Sequence, residues 1–280
     1  MKLFRRKFNK KRLEQELQGH TPPALPGSAM KVLRMLRDPE VGMQSIAKAL
    51  SFDASLSVQL LKTVNSAAYG PAREIDNVGH AASMLGRNQL EQLVLAVAVK
   101  QALPNGDIKG FEAMRFWKSS FFRAVLGKRL AEKLHPELES QSFTGGLLQD
   151  MAVPVLAHAR PNDYGAILEE WHNSPDTRLH VIEEKTLGFS HDEVGALLGA
   201  TWELPESLTR IIASHHDDDV ATNNLPIAMR LVSFHRETER EYGFEALIEE
   251  ARQHGIELDW LIGVLEESNE QAYELAKALR

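Results

Sequence analysis

The interpretation of this chain depends on the stretch Phe143-Thr144-Gly145-Gly146-Leu147-Leu148-Gln149-Asp150. The stretch is mostly apolar until its last two residues, which are an amide followed by a carboxylate. A neutral imidazole binds divalent metal ions well, whereas a primary amide is a poor ligand that supplies no charge. Gln149-Asp150 therefore offers one conventional metal ligand rather than two. This favours a binding or signalling role over metal-dependent catalysis.

Apolar residues along the rest of the chain recur at spacings of three and four rather than two. That period is typical of amphipathic helices, and no segment has the alternation expected of a strand. Residues 89–103 are apolar almost all round, which predicts a buried central helix. Ser28 and Asn77 are suited to cap helices, Gly86 to end one, and Pro154 to break or re-angle another. We therefore expect an all-α fold.

The best candidate for a boundary between two helical lobes is Pro104-Asn105-Gly106-Asp107, where two helix breakers lie in a polar stretch. The expected organisation is a basic N-terminal arm at residues 1–19, a smaller helical lobe at 20–105, a second helical lobe at 106–240 and a C-terminal helical extension at 241–280. The extension is acidic and amphipathic, and it could cover a core or form a dimer. The oligomeric state is left open.

Composition excludes several classes of protein. With 43% hydrophobic and 25% charged residues, the chain resembles an ordinary soluble globular protein. The absence of cysteine excludes disulfides, zinc–thiolate sites and thiol nucleophiles. No apolar stretch approaches the roughly 20 residues that span a bilayer, and the N-terminus lacks the pattern of a secretory signal. We expect a cytoplasmic protein.

The charge is distributed unevenly. Residues 1–12 carry seven basic side chains and no acidic one. Without these seven, the 32 basic residues of the chain fall to 25 against 39 acidic ones, so the remainder has a net charge of −14. Such an acidic body repels phosphates and argues against a nucleic-acid partner. The basic arm itself is compatible with contact to an anionic membrane, RNA or the acidic body, or with a solvated terminus.

His191-Asp192 is one histidine-containing candidate for a metal site. However, Ser190 is followed three residues later by Glu193, immediately before an apolar run, which is the pattern of a capping box. In that arrangement the serine oxygen accepts the Glu193 N–H, and the glutamate reaches back to the cap residue. We therefore expect His191-Asp192 to begin a helix rather than to bind a metal ion.

His215-His216 is followed by three aspartates and also resembles a metal-binding sequence. Adjacent residues of a helix point about 100° apart, so the two histidines should not face one ion without an irregular turn. We expect one of them to face inward, toward Asp150 and Gln149, as a hydrogen-bonded core residue. Weak or adventitious metal binding is the alternative.

Small and amide residues close an amphipathic helix at Asn65-Ser66-Ala67-Ala68-Tyr69-Gly70. One interpretation is a structural helix end, in which Asn65 satisfies backbone groups. The other is a surface for a partner, formed by Asn65, Ser66 and Tyr69. Both interpretations are kept at this point.

Several short motifs occur in a specific order along residues 25–234. They are Leu25-Pro26, Asp38-Pro39, Asp53-Ala54-Ser55-Leu56, Val64-Asn65-Ser66-Ala67-Ala68-Tyr69-Gly70, Phe116-Trp117, Gly146-Leu147-Leu148-Gln149-Asp150, His191-Asp192-Glu193-Val194-Gly195, Trp202-Glu203-Leu204-Pro205 and His215-His216. Each motif is weak alone, but together they resemble the HDOD family, the HD-related output domain of bacterial signalling proteins. The chain departs from the family pattern at Ala54, where proline is usual.

The resemblance implies an all-helical domain related to the HD phosphohydrolases but commonly without their full set of metal ligands. An active relative would have histidines near Ser119 and at Gln149. Helix-forming residues 225–239 contain no aspartate to complete the set. The resemblance therefore implies no cofactor, no metal ion and no catalysis. The residues expected to line the vestigial HD pocket are Ser119, Gln149, Asp150, His191, His215 and His216.

The function implied is that of a signal-transduction adaptor. It would bind a protein partner, or a nucleotide second messenger, in a groove between the two lobes, with Asn65, Ser66 and Tyr69 on one side. The alternative is a metal-dependent phosphohydrolase or phosphodiesterase that uses an unorthodox set of ligands, namely Asp150, His191, His215 and His216.

Overall fold

The computed structural model describes residues 10–67, 71, 73–174, 177–217, 225–235 and 244–278. Within these ranges the chain forms α-helices and no β-strand, so the expected all-α fold is confirmed. The helices are α1 (Lys10–Glu16), α2 (Gly27–Arg37), α3 (Met43–Ser51), α4 (Ala54–Val64), α5 (Val78–Ala102), α6 (Ala113–Leu134), α7 (Glu139–Leu148), α8 (Ala152–Ala159), α9 (Pro161–Asn173), α10 (Leu179–Leu187), α11 (His191–Thr201), α12 (Glu206–Ser214), α13 (Ile227–Val232), α14 (Glu245–Gln253) and α15 (Leu258–Ala278). None of the described helices is both long enough and apolar enough to cross a membrane.

Two side chains in the first half of the chain, Asn77 and Ser28, were expected to cap helices, and one of them does. Asn77 caps α5, because its Oδ1 accepts the backbone N–H of His80 at 2.7 Å. The expectation for Ser28 is wrong: α2 begins at Gly27, and Pro26 precedes it without a side-chain cap. The Ser28 hydroxyl instead donates to Asp53, whose carboxylate caps α4 at the backbone N–H of Leu56. Ser28 thus supports the cap of another helix.

The long helix α5 has a break at Gly86, where φ is 67°. That left-handed conformation suits glycine, which has no Cβ to oppose it. The helical stretch before Gly86 therefore ends where the sequence predicts, and a second helical stretch continues directly from it. Side chains 92–99 are all buried, as expected for a central helix that is apolar all round.

The helix predicted to break at Pro154 is interrupted earlier, between Leu148 and Ala152. Helix α7 ends at Leu148, a turn carries Gln149-Asp150-Met151, and α8 begins at Ala152. Pro154 is the third residue of α8, in the first turn, where its missing N–H removes no helical hydrogen bond. The turn before the proline places Asp150 between two helix ends, with its side chain free of the regular helical pattern.

The functional part of the fold forms around α6. This helix packs against α7, α13 and α15, and α11 packs against α8 and α12. The closest approach is at Gly146, where a Cβ atom would lie 2.4 Å from the backbone oxygen of Arg123. Helix α12 also packs against α7, so the end of α7, the start of α11 and the end of α12 come together around Asp150.

Helix α1 belongs to the body of the protein rather than to a solvated arm. Leu13 and Leu17 are fully buried, and α1 packs against α11. Arg12 forms ion pairs with Glu16 and with Glu193 of α11. Contact with the acidic body, one of the alternatives for the basic arm, is therefore present at Arg12. The other basic residues of that arm, except Lys10 and Lys11, lie outside the described residues.

The division into lobes remains a prediction. Residues 104–107 do fall between α5 and α6, as expected. However, the buried apolar side chains on both sides belong to one continuous cluster, which runs from Leu13 to Ala276.

Candidate functional site

A cavity of about 510 Å³ opens in the second half of the chain. Its walls carry large aromatic side chains, and the described residues that line it all lie at position 110 or beyond. The aromatic members are Phe111, Phe116, Trp171 and Phe234. Arginine, histidine and carboxylate side chains converge at one end, where Arg123, Asp150, His191 and His216 line the cavity. Its size and mixed lining are typical of a site for a small molecule.

Asp150 is the centre of the polar end. One oxygen of its carboxylate, Oδ2, lies 2.8 Å from Nη2 of Arg123. The other, Oδ1, lies 3.2 Å from Nε2 of His215 and 3.4 Å from Nε2 of His191. The two oxygens therefore face two different groups, a guanidinium on one side and imidazoles on the other.

Three histidines converge on Asp150 from two helix ends. His191 is the first residue of α11, and its Nε2 lies 3.2 Å from Nε2 of His215 and 3.1 Å from Nε2 of His216. His215 faces inward toward Asp150, as expected, and the irregular turn that would let His216 join it is present. Helix α12 ends at Ser214, so the pair lies in the turn that follows and escapes the helical spacing of side chains. The four side chains could hold a metal ion, because their ligand atoms all lie within 4.8 Å of one another.

The capping box predicted at Ser190 does not form. The Ser190 side chain makes no cap bond, and Glu193 pairs with Arg12 instead of reaching back. The N-terminus of α11 is buried beside α10, from which Glu183 accepts the backbone N–H of His191 at 2.8 Å. A buried carboxylate at a helix N-terminus complements the helix dipole, and this leaves the His191 ring available to the site.

The outer nitrogen of each buried imidazole is fixed by a hydrogen bond. Nδ1 of His191 lies 2.6 Å from Glu183, which also accepts the Tyr164 hydroxyl. Nδ1 of His215 lies 2.7 Å from the carbonyl oxygen of Ile212. The His216 ring stacks on His180 with centroids 4.2 Å apart. These contacts turn the three Nε2 atoms toward a common point.

The charges in the site alternate in sign. Burial by itself would raise the pKa of Asp150, but Arg123 and the neighbouring histidines hold it well below its usual range. Burial would lower the pKa of His191, but Glu183 and Asp150 raise it well above its usual value. Burial lowers the pKa of His216 well below its usual value, and the nearby His215 and His191 lower it further. In the absence of a metal ion, a protonated His191 therefore lies between two carboxylates.

Of the residues expected to line the pocket, Gln149 lines the cavity, whereas Ser119 is not among the described lining residues. Ser119 Oγ accepts a hydrogen bond from Nη1 of Arg123 at 3.1 Å. The Gln149 side chain is 2% exposed, and its Oε1 has no hydrogen-bond partner. Sequence reasoning missed Arg123 and Glu183. Each of them is a charged residue on an otherwise apolar helix face, which is the sequence signal that could have identified it. Arg123 lies one turn after Ser119.

Asn65 and Ser66, two of the three predicted partner-binding residues, lie away from the cavity. The Asn65 side chain donates to the backbone oxygen of Ile75 and accepts its N–H, both at 2.8 Å. The Ser66 hydroxyl donates to the Thr63 carbonyl. Both side chains therefore stabilise the end of α4 and its connection to α5, in agreement with the structural interpretation of this motif. Neither lines the cavity. Tyr69 lies outside the described residues.

A half-buried histidine in the cavity wall, His235, predicts pH-dependent stability. The His235 ring packs against Phe122 at a centroid distance of 4.5 Å, and burial, together with Arg123, lowers the pKa of His235 to about 3. The unfolded chain has the ordinary pKa of about 6.5. The neutral ring is favoured in the folded state, so its contribution is complete above pH 6.5 and is lost as the pH falls toward 3.

We expect His235→Phe to remove this dependence. The free energy of unfolding of the wild type, relative to the variant, should fall by about 1.4 kcal/mol per pH unit between pH 6 and 4. Urea unfolding of both proteins at pH 7, 6, 5 and 4 measures the difference. Parallel pH profiles for the two proteins would contradict the prediction.

Comparison with known proteins relates this site to a family. The HDOD domain family matches residues 23–218. An uncharacterized protein of Treponema pallidum (strain Nichols) is 27% identical over 196 residues, which are 70% of this chain and 37% of that protein. The chain therefore spans little more than a third of that relative's length.

Two solved structures have a similar fold. One, from Shewanella amazonensis SB2B, has a name that proposes phosphohydrolase activity; it is 24% identical, with a TM-score of 0.73, and the match covers 96% of this chain and 98% of that one. The other, from Marinobacter aquaeolei VT8, has a name that proposes signal transduction; it is 21% identical, with a TM-score of 0.73, and the match covers 95% and 61% of the two chains.

Proposed function

The chain belongs to the HDOD family, and we propose that it is a signal-transduction domain that binds a nucleotide in its cavity without hydrolysing it. Occupation of the cavity would then determine how the domain engages a protein partner. This proposal combines a family of output domains with a cavity suited to a small ligand.

The cavity itself is the observation that carries the proposal. At about 510 Å³ it lies within the range of small-molecule sites. Its aromatic walls suit a planar base, and Arg115 and Arg178 line it as well. The Arg178 guanidinium lies over the Phe234 ring at 4.5 Å from the centroid. Guanidinium groups are well suited to phosphate, so a ligand with a base and a phosphate would match both parts of the lining.

Three features support binding without turnover. Ser119 and Gln149 occupy positions where imidazoles would be needed in an active relative. Arg123 engages one oxygen of Asp150, so this carboxylate is already neutralised on that side. His191 is held between Glu183 and Asp150 by hydrogen-bonding contacts rather than presented to the cavity as a free base.

A metal-dependent phosphohydrolase is the second candidate function. The observation that favours it is the convergence of Asp150, His191, His215 and His216 at the polar end of the cavity. A metal ion held there would supply a Lewis acid next to a bound phosphate. The name of the Shewanella structure proposes the same class of activity for that protein.

Binding and turnover can be measured on the same samples. We expect one of a panel of cyclic mononucleotides, cyclic dinucleotides and guanosine phosphates to stabilise the full chain, by about 2.7 kcal/mol at 100 times its Kd. The ligand should be recovered unchanged after incubation with Mg²⁺, Mn²⁺, Fe²⁺ or Zn²⁺. Arg178→Met should weaken binding at least about 10-fold, because a charge-assisted contact to phosphate contributes about 1.5–3 kcal/mol, which is roughly 10- to 150-fold in affinity.

Arg34→Met is the matched control. Arg34 pairs with Glu203 on the exposed surface and does not line the cavity, so its loss should leave nucleotide affinity unchanged. Turnover that disappears in Asp150→Ala would support the hydrolase instead. Absence of any nucleotide-dependent stabilisation would refute ligand binding in this cavity.

A further inference from the structure

At the polar end of the cavity, three hydrogen-bond acceptors face one another. A carboxylate and a carbonyl can only accept, so Nδ1 of His191, facing Glu183, and Nδ1 of His215, facing the Ile212 carbonyl, both carry protons. In neutral rings the two Nε2 atoms are then acceptors, yet they lie 3.2 Å apart. Oδ1 of Asp150 adds a third acceptor, 3.2–3.4 Å from both. Only a positive charge can stabilise three acceptors in this arrangement.

A single proton cannot bridge all the close contacts between nitrogen and oxygen atoms in the cluster. A proton on His191 or His215 bridges one pair of acceptors and leaves the third contact unexplained. His216 extends the cluster with its Nε2 at 3.1 Å from that of His191, while its own Nδ1 is buried without a partner. The cluster therefore consists of more ligand atoms than a single shared proton can hold together.

The spacing of the four atoms fits a metal ion. Ligands 2.0–2.1 Å from a tetrahedral metal lie roughly 3.3–3.4 Å from one another. Four of the six distances between ligand atoms of the cluster are 3.1, 3.2, 3.2 and 3.4 Å, and all the ligand atoms lie within 4.8 Å of one another. We infer that Asp150, His191, His215 and His216 hold one divalent transition-metal ion.

The ligand set defines the class of metal. Three imidazoles and one carboxylate suit Zn²⁺, Fe²⁺, Co²⁺ or Mn²⁺, whereas Mg²⁺ and Ca²⁺ prefer sites made of oxygen. Glu183 and the Ile212 carbonyl supply the outer hydrogen bonds that orient ligating histidines in metal sites. Tyr164 extends this support by donating to Glu183.

Arg123 limits the site to one ion. Its guanidinium occupies the Oδ2 side of Asp150 at 2.8 Å and is also bonded to Ser119. With its side chain 4% exposed, Arg123 is a fixed cation inside the protein. A second metal ion on that side of the carboxylate would have to displace a buried guanidinium, and Ser119 and Gln149 offer no imidazole to receive it.

The inference needs only the four ligand atoms and does not rest on the proposed function. The full chain is stripped with a chelator, incubated separately with Zn²⁺, Mn²⁺ and Fe²⁺, and desalted, and the bound metal is then measured by mass spectrometry. We expect one ion per chain and a higher Tm of the loaded protein. Co²⁺ should produce the visible d–d absorption of a four-coordinate site with nitrogen and oxygen ligands.

Two variants test the assignment. His216→Ala should weaken metal affinity by about 100-fold or more, because it removes a ligand. Loss of a residue that only hydrogen-bonds to a ligand already weakens metal affinity by about 10–100-fold. His80→Ala is the control, because His80 is exposed on α5 and outside the cluster. Circular dichroism of the metal-free variants establishes that both are folded; if His216→Ala is not, Asp150→Asn replaces it.

Three outcomes would overturn the inference. They are no metal retained above the background of an unrelated protein, no Co²⁺ absorption of this type, and equal metal content in wild type and His216→Ala. Two ions per chain would overturn the role of Arg123. All these readings are made without nucleotide or substrate, so a failure of the proposed function would leave them unaffected.

Discussion

Replacing Arg123 by methionine should lower the free energy of unfolding by about 3–5 kcal/mol, the usual cost of removing one partner from a buried ion pair. The Arg123 side chain is 4% exposed and that of Asp150 is 21% exposed, so water can compensate little for the lost charge. The variant leaves a mostly buried carboxylate whose remaining positive neighbours, within the described part of the chain, are the histidines. Urea unfolding in the presence of a chelator measures the effect without a contribution from bound metal.

A double-mutant cycle separates the pair from general damage to the core. Asp150→Asn alone leaves the Arg123 guanidinium without its carboxylate and should also be strongly destabilising. The variant with both substitutions should lose about 1–3 kcal/mol less than the sum of the single losses, because neither charge is then left unpaired. Arg34→Met, in an exposed pair with Glu203, should change stability by less than about 0.5 kcal/mol. Additive single losses would show that Arg123 acts through packing alone.

Gly146→Ala should destabilise the protein by about 3 kcal/mol, near the upper end of overpacking effects. The added Cβ would lie 2.4 Å from the Arg123 backbone oxygen and 2.7 Å from its carbonyl carbon. Backbone atoms cannot rotate away as a side chain can, so α6 and α7 would have to separate. The same movement would displace Arg123 from Asp150, and metal affinity should fall together with stability.

Gly263→Ala is the matched control for this prediction. Gly263 lies inside α15, and a Cβ there would meet no atom within 4 Å. Since alanine favours helix more than glycine does, this variant should be neutral or more stable by up to about 1 kcal/mol. Thermal or urea unfolding of both variants provides the comparison. Equal effects of the two substitutions would contradict a close helix contact at Gly146.

Local sequence patterns were sufficient for the fold class and for several helix ends. The spacing of apolar residues predicts helices, and the structure has them; Asn77 caps α5 as expected, and Gly86 interrupts it. Such features depend on residues a few positions apart, so they can be recognised from the sequence alone. Where a cap involved a distant residue the prediction failed, as at Ser28, whose hydroxyl donates to Asp53.

The site required the tertiary structure. In the sequence, Ser119 and Gln149 occupy positions where an active relative would have histidines, and Asp150 is the conventional ligand that remains. The sequence predicts that His191 begins a helix, but it does not show that Glu183 from α10 satisfies the N-terminus of that helix and leaves the imidazole free of the cap. Nor could it show that α12 ends one residue before His215.

By itself, the sequence determined that the chain is helical and that Gln149-Asp150 offers one conventional metal ligand rather than two. Only the tertiary structure decided that three imidazoles and the Asp150 carboxylate meet within 4.8 Å, with Arg123 on the far side of that carboxylate. The reason is physical. Helix formation is governed by neighbours along the chain, whereas the meeting of ligand atoms depends on how the end of α7, the start of α11 and the end of α12 pack together.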